Sequence, residues 1–200
     1  VVEDHPTVLE GLCLVLEREG FVIAGRAGSV AGGHAAIVEA APDVALIDVD
    51  LPDGSGVDLT RRLLRRDRRL GVLLYTGMEG LDVYEEALDS GARGLTLKTS
   101  QPEMTLRAVR AVAAGGTFVD PAVYQRLDAR EVVHERVLTV REREVLERLA
   151  EGTSIEDIAG ELVLSTQTIR THVRNAMAKL GTRTRAHAIV VALRRGELEL

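Results

Sequence analysis

The sequence predicts an α/β fold, a (βα)5 doubly wound parallel sheet, followed by an all-α four-helix unit. Over residues 1–116 short apolar runs alternate with amphipathic helical segments, the pattern of a parallel sheet covered on both faces. From Leu138 onward the period is helical throughout. The boundaries that follow are 1–116 for the α/β domain, 117–137 for a linker and 138–200 for the helical domain.

Val1-Val2 reads as the first strand, followed by helix Thr7–Glu19. FVIAG is the second strand, with helix Val30–Ala40, and VALID the third, with helix Val57–Arg68. VLLYT with helix Leu81–Ser90 and GLTLK with helix Pro102–Ala114 complete the five units, and Gly115-Gly116 stops the last helix. In the linker, Pro121 can open a short helix, and AVYQRLDAREVVHERV has some helical periodicity. LTVREREVLERLAEG is an amphipathic helix in which Thr139 and Glu142 form a capping box. SIEDIAGEL is a short second helix, VLS a tight break, and TQTIRTHVRNAMAKLG a third helix with Ser165 as N-cap and Gly181 past its end. TRAHAIVVALRRG is the fourth.

Few aromatics are present, so the cores are built from Leu, Val, Ile and Ala. No apolar stretch is long enough to span a bilayer, so no transmembrane helix and no membrane partner are expected. The chain shows no leader pattern and opens inside a strand, so a few residues are expected upstream. The single cysteine, Cys13, cannot form an internal disulfide and reads as a packing residue, which fits a cytoplasmic location. The net charge of −6 looks wrong for a nucleic-acid binder, but the charge is unevenly spread. Residues 1–120 carry more acid than base, and residues 138–195 more base than acid.

The chemistry is placed by Asp48, which closes the buried run VALID and precedes a loop rich in acid, Pro and Gly. Functional groups of open α/β sheets sit at the carboxyl ends of strands. Glu3 and Asp4 follow the first apolar run, Thr76 ends VLLYT and Lys98 ends GLTLK, so all five converge. Crowded carboxylates need a cation to offset their repulsion, and a hard divalent ion such as Mg²⁺ takes oxygen ligands. Asp48 is the natural nucleophile, since aspartate can form an acyl phosphate. Lys98 can offset charge on phosphoryl oxygens, and Thr76 can donate its hydroxyl to the same group. The five histidines show no metal-binding spacing, and His5 is expected to be exposed beside the site without being a ligand.

The marks EDHP, LIDVDLPDGSG, YTG and GARGLTLKTS, in this order, resemble the receiver domain of two-component response regulators. The resemblance implies that Asp48 is the phosphoacceptor, Glu3 and Asp4 the Mg²⁺ acids, and Thr76 and Lys98 the switch hydroxyl and phosphate lysine. It also implies that the backbone carbonyl of Asp50 completes the metal shell. Leu95 stands where receivers often carry a switching Tyr or Phe, so coupling is expected through packing. Asp50 adds a negative charge two residues beyond the acceptor.

In the helical domain, Ile169, Val173, Ala176 and Leu180 form the inward stripe of the third helix. Gln167, Arg170, Thr171 and Arg174 lie on the other side, suited to base edges or phosphates in a helix-turn-helix reader. Ser165 and Thr166, at the helix N-terminus, suit a phosphate oxygen. Residues 138–195 resemble the LuxR/NarL-type DNA-binding domain, carried by LTVREREVLERLAEG, IEDIAGELVLSTQTIRTHVRNAMAKLG and TRAHAIVVAL. That resemblance implies Arg170, Thr171 and Arg174 in the major groove, Lys179 near the backbone, and dimer contacts through Ile189, Val190 and Leu193. Glu156 and Asp157 depart from the pattern, because acids there repel phosphate.

Together these features read as a NarL/FixJ-type response regulator, a transcription factor and not an enzyme. Its expected partners are promoter DNA, a sensor histidine kinase as phosphodonor and a second copy of itself when active. In the resting form the receiver is expected to cover Arg170 and Arg174. Two other readings compete. One is an atypical regulator whose receiver is an interaction or ligand module independent of phosphorylation. The other is a haloacid-dehalogenase-like phosphatase using Asp48-Val49-Asp50, which leaves the helical domain unexplained.

Overall fold

A computed structural model describes residues 1–77, 81–123 and 137–198. Its central sheet has four parallel strands. These are β1 (Val44–Asp48), β4 (Gly71–Thr76), β5 (Gly94–Leu97) and β6 (Phe118–Val119), in that spatial order. Every residue of β4 and β5 is buried, which accounts for their unbroken apolar runs. A small antiparallel hairpin, β2 (Asp50–Leu51) and β3 (Gly54–Ser55), follows β1.

Helices α1 (Pro6–Arg18) and α5 (Pro102–Ala113) cover one face, where Leu16, Ala108, Val109 and Val112 pack on Leu46 and Leu73. Helices α2 (Val30–Ala40), α3 (Gly56–Arg66) and α4 (Leu81–Asp89) cover the other face. The doubly wound architecture therefore stands, with two differences at its margins. Val1-Val2 and FVIAG do not form strands; Val2 makes single parallel bridges to Ile47 and to Ala27. Backbone contacts there are Ala27 N to the Val1 carbonyl at 3.0 Å and Glu3 N to the Ala27 carbonyl at 2.9 Å, which centre on Ala27 and leave residues 21–25 outside the sheet. Conversely, β6 lies in the segment read as linker and pairs with β5, Gly94 opposite Phe118. Most of the segment AVYQRLDAREVVHERV lies outside the described residues.

Asp120 explains why the chain after β6 stays with the sheet. Its buried carboxylate accepts from Ser100 Oγ at 2.5 Å, Thr96 Oγ1 at 3.2 Å and Leu97 N at 3.3 Å. It also accepts from Ala122 N at 3.0 Å. No apolar pattern announces such a residue, and sequence reasoning missed it.

The second domain comprises α6 (Val140–Ala150), α7 (Ile155–Glu161), α8 (Thr166–Leu180) and α9 (Arg185–Arg194). The Thr139–Glu142 capping box is formed at α6, and Ser165 caps α8 through Thr168 N at 3.0 Å. Gly181 ends α8 in the left-handed region, φ 71°, where a side chain is strained. Ile169, Val173, Ala176 and Leu180 are buried against Val145, Leu146, Leu149 and Ile158, so the inward stripe read from the sequence is the core face. Cys13 is buried in α1. Among the described residues no helix is long and apolar enough to cross a membrane.

Helix α9 joins the two domains. Ala188, Ile189 and Ala192 pack inside the helical domain, whereas Ala186 and Val190 pack into the α/β core with Tyr84, Leu88 and Val119. Polar contacts surround this seam. Thr184 Oγ1 donates to the Leu88 carbonyl, His187 Nδ1 lies 2.5 Å from Asp89 Oδ1, and Arg194 pairs with Glu85 at 3.3 Å.

Candidate functional site

Parallel register brings the site together. Val2 bridges Ile47, Asp48 lies opposite Tyr75, and Thr76 opposite Leu97, so Glu3, Asp48, Thr76 and Lys98 meet at one edge. Glu3 is 1% exposed and Asp48 2%, while the Lys98 side chain is 21% exposed, so the ammonium is the most accessible of the three groups. Lys98 Nζ stands 2.7 Å from Asp48 Oδ2 and 2.7 Å from Glu3 Oε2. The backbone locks this approach, since Lys98 N donates to the Thr76 carbonyl at 2.8 Å.

Burial pushes the Asp48 carboxyl above its ordinary value, against the opposing pull of Lys98 and of the Asp50 amide, which donates to Oδ1 at 3.2 Å. Burial works against the Lys98 ammonium too, but Asp48 and Glu3 outweigh it and hold Lys98 above the ordinary lysine value. Lys98 therefore favours the ionised form of Asp48, against the burial that opposes it.

Ligand atoms of Glu3, Asp4, His5 and Asp48 all lie within 4.8 Å of one another. Glu3 Oε2 and Asp4 Oδ1 are buried oxygens that receive no hydrogen bond of good geometry, with Lys98 Nζ and His5 Nδ1 each 2.7 Å away as their ion-pair partners. Under-satisfied carboxylate oxygens in one cluster are what a hard cation would satisfy, so the donor set fits such an ion. His5 is exposed as expected, but it is not a bystander. Its Nδ1 lies 2.7 Å from Asp4 Oδ1 and 3.1 Å from Glu3 Oε1, and the hydrogen bond to Glu3 with the charge of Asp4 raises its pKa. Only the two acids that precede it in EDHP hinted at this.

The loop after Asp48 is held by a second acid. Asp53 accepts from the amides of Val30 at 2.6 Å and Ala31 at 3.0 Å, tying the loop to the start of α2. Leu95 is buried in β5, and the fully buried aromatic of that core is Tyr84, on α4. The role of Tyr84 was not legible, because its helix carried no mark separating it from an ordinary amphipathic one.

On α8, Gln167, Arg170 and Arg174 are exposed on one side, with Thr171 partly covered. Arg170 pairs with Glu156 at 3.1 Å. Lys179 donates to Glu142 Oε2 at 2.7 Å, drawn by a buried carboxylate. One expectation is corrected here. The receiver does not cover Arg170 and Arg174. It covers α9, because burying Ala186 and Val190 costs no charge desolvation, whereas burying two guanidinium groups would. Ile189 and Val190 are therefore buried, in the helical-domain core and the receiver core respectively, and Leu193 is half-buried.

Comparisons with known proteins agree with this architecture. Residues 1–110 match the response regulator receiver domain and residues 136–192 the LuxR family of bacterial regulatory proteins. The chain is 34% identical over 199 residues to the nitrate/nitrite response regulator NarP of Escherichia coli, covering 96% of this chain and 93% of that protein. It is 35% identical over 199 residues to the transcriptional activator DevR/DosR of Mycobacterium tuberculosis, covering 96% and 92%. Among solved structures, RcsB of Salmonella typhimurium superposes with a TM-score of 0.60 at 26% identity, covering 96% and 95% of the two chains. A parallel-sheet domain with an acid-and-lysine edge, followed by a helix-turn-helix, defines a class of two-domain regulators. The chain belongs to the NarL/FixJ family of response regulators: a receiver joined to a LuxR-type domain, acting as a DNA-binding transcriptional regulator of a two-component system.

Proposed function

We propose that Asp48 is the phosphoacceptor and that its phosphorylation controls DNA binding by α8. The observation that carries this reading is Lys98 Nζ at 2.7 Å from Asp48 Oδ2, beside buried Glu3. A carboxylate oxygen of Asp48 attacks the phosphorus of a phosphohistidine on a sensor histidine kinase. The P–N bond breaks, its electron pair stays on the imidazole, and an acyl phosphate forms. Lys98 shifts from the Asp48 carboxylate to the new phosphoryl oxygens, and Thr76 donates its hydroxyl to the same group. Glu3, Asp4, Asp48 and the carbonyl of Asp50 would hold Mg²⁺, which supplies charge neutralisation when bound.

Arg170, Thr171, Arg174 and Gln167 are assigned to the major groove, with Ser165 and Thr166 at backbone phosphate. Lys179 joins the backbone contacts only on leaving Glu142. Phosphorylation favours a state in which α9 leaves the receiver and Val190 becomes available to a second copy. Solved RcsB dimers on DNA support pairing in this family.

The test is intact mass after incubation with a small acyl phosphate donor and Mg²⁺, with Asp48→Asn alongside. One phosphoryl group is expected on the native chain and none on the variant, together with tighter binding of a promoter duplex by the phosphorylated form. Phosphorylation that persists in Asp48→Asn would move the acceptor elsewhere.

A further inference from the structure

A second polar site lies between the domains, away from Asp48. A cleft of about 550 Å³ opens between the end of α3, the turn before β5, and the start of α9. Arg65, Arg68 and Arg93 line it from the receiver, and Arg183 and Arg185 from the helical domain. Asp89 is the single carboxylate among its lining residues, and it already faces His187. A sixth arginine, Arg61, is neutralised by Asp58 and Glu86 at 3.0 Å each. Among the described residues no carboxylate pairs with the other five.

Arg185 is the most telling of them. Its guanidinium reaches one partner, the Gly115 carbonyl, by two long contacts of 3.4 Å. Burial lowers its pKa, and Arg93 and Arg170 add to that against the opposing charge of Glu156. This half-buried guanidinium is held among like charges and forms no ion pair with a carboxylate among the described residues. An independent observation lies on the same wall. Thr117 is 1% exposed, lines the cleft, and its hydroxyl has no hydrogen-bond partner. Such orphaned groups are rare and mark a missing acceptor or donor.

We propose that this cleft binds an oligophosphate, either a nucleoside triphosphate or an inorganic polyphosphate chain, clamped between the two domains. Guanidinium forks match phosphate oxygens in paired hydrogen bonds, and the Thr117 hydroxyl supplies a neutral donor. Several contiguous negative charges answer several unpaired arginines, which a monoanion cannot do. The volume lies in the range of small-molecule sites. Because the ligand touches both domains, it favours this arrangement of them. Binding itself does not depend on the phosphoacceptor assignment.

The experiment is calorimetric titration of the full chain, in EDTA at constant ionic strength, with sodium tripolyphosphate, GTP and sodium sulfate. Both oligophosphates are expected to bind at least about tenfold tighter than sulfate. Loss of charged hydrogen bonds in Arg183→Gln/Arg185→Gln should weaken them by about tenfold or more. Thr117→Val should weaken them about threefold while leaving the ligand-free unfolding midpoint unchanged or higher, since it removes an unsatisfied hydroxyl. Equal affinity for tripolyphosphate and GTP assigns the polyphosphate chain, and a gain for GTP assigns the nucleotide. Oligophosphate binding no tighter than sulfate, or binding unchanged in both variants, overturns the proposal. So does an effect of the variants confined to DNA affinity, which would make the cleft a DNA-backbone contact.

Discussion

Gly56 approaches the carbonyl oxygen of Asp48 so closely that a Cβ on it would lie 1.8 Å from that oxygen. The site is thus braced from beneath: the first residue of α3 touches the backbone of Asp48, and Gly56 N donates to the Val49 carbonyl at 2.9 Å. Gly56→Ala must move either α3 or β1. It is expected to destabilise the receiver by roughly 1–3 kcal/mol, the usual range for overpacking, and to slow phosphorylation. Urea unfolding checks it; a change within about 0.5 kcal/mol would show that the backbone yields freely.

Lys98 is the sole ammonium facing Glu3 and Asp48 among the described residues. Lys98→Met leaves two buried carboxylates without it. The resting protein should lose about 1–3 kcal/mol in EDTA, less than for a fully buried pair because the ammonium is partly exposed. Added Mg²⁺ should recover more stability in the variant than in the native chain. Equal gains in thermal midpoint would argue against a cation at these acids.

The helical domain should weaken in acid through Glu142. Burial pushes that carboxyl up, but Lys179 and the Thr139 amide and hydroxyl outweigh it, so the net shift is down. A depressed folded value means the contribution is full above the unfolded value of about 4.3 and is lost as pH falls through the folded one. The native chain should therefore lose stability below about pH 4 more steeply than Glu142→Gln, which is already less stable at neutral pH. Parallel acid transitions in the two proteins would remove Glu142 from the account.

Val163 sits in the turn before α8 at φ 54°, 89% exposed, so strain there is not offset by packing. A β-branched residue in the left-handed region costs about 1–2 kcal/mol. Val163→Asn is expected to raise stability by about 1 kcal/mol and to leave DNA sequence preference unchanged. No rise in the unfolding midpoint would contradict the strain.

Val190→Asp places a charge in the receiver core beside Tyr84 and Leu88. It should separate the domains, visible as a larger radius of gyration in solution scattering, and raise DNA affinity without phosphorylation. A compact variant with native DNA affinity would show that α9 does not restrain the helical domain.

Much of this protein follows from local pattern. VLLYT and GLTLK read as strands because both faces of a parallel strand are buried, and the Thr139–Glu142 cap is readable because its partners are three residues apart. The convergence of Glu3, Asp48, Thr76 and Lys98 was legible as well, because strand-end residues in a parallel sheet share one edge. By itself, then, the sequence determined the helices, the strands β1, β4 and β5, the acid-and-lysine edge and the inward stripe of α8, all set by short-range periodicity and strand direction. Tertiary structure alone decided which apolar faces meet. It turned Ala186 and Val190 toward the receiver, drew Lys179 to Glu142, gathered five arginines from two domains around one cleft, and placed β6 beside β5 through Asp120. Those outcomes depend on contacts between residues far apart in the chain, where burial and charge pairing choose among several partners that local pattern leaves equivalent.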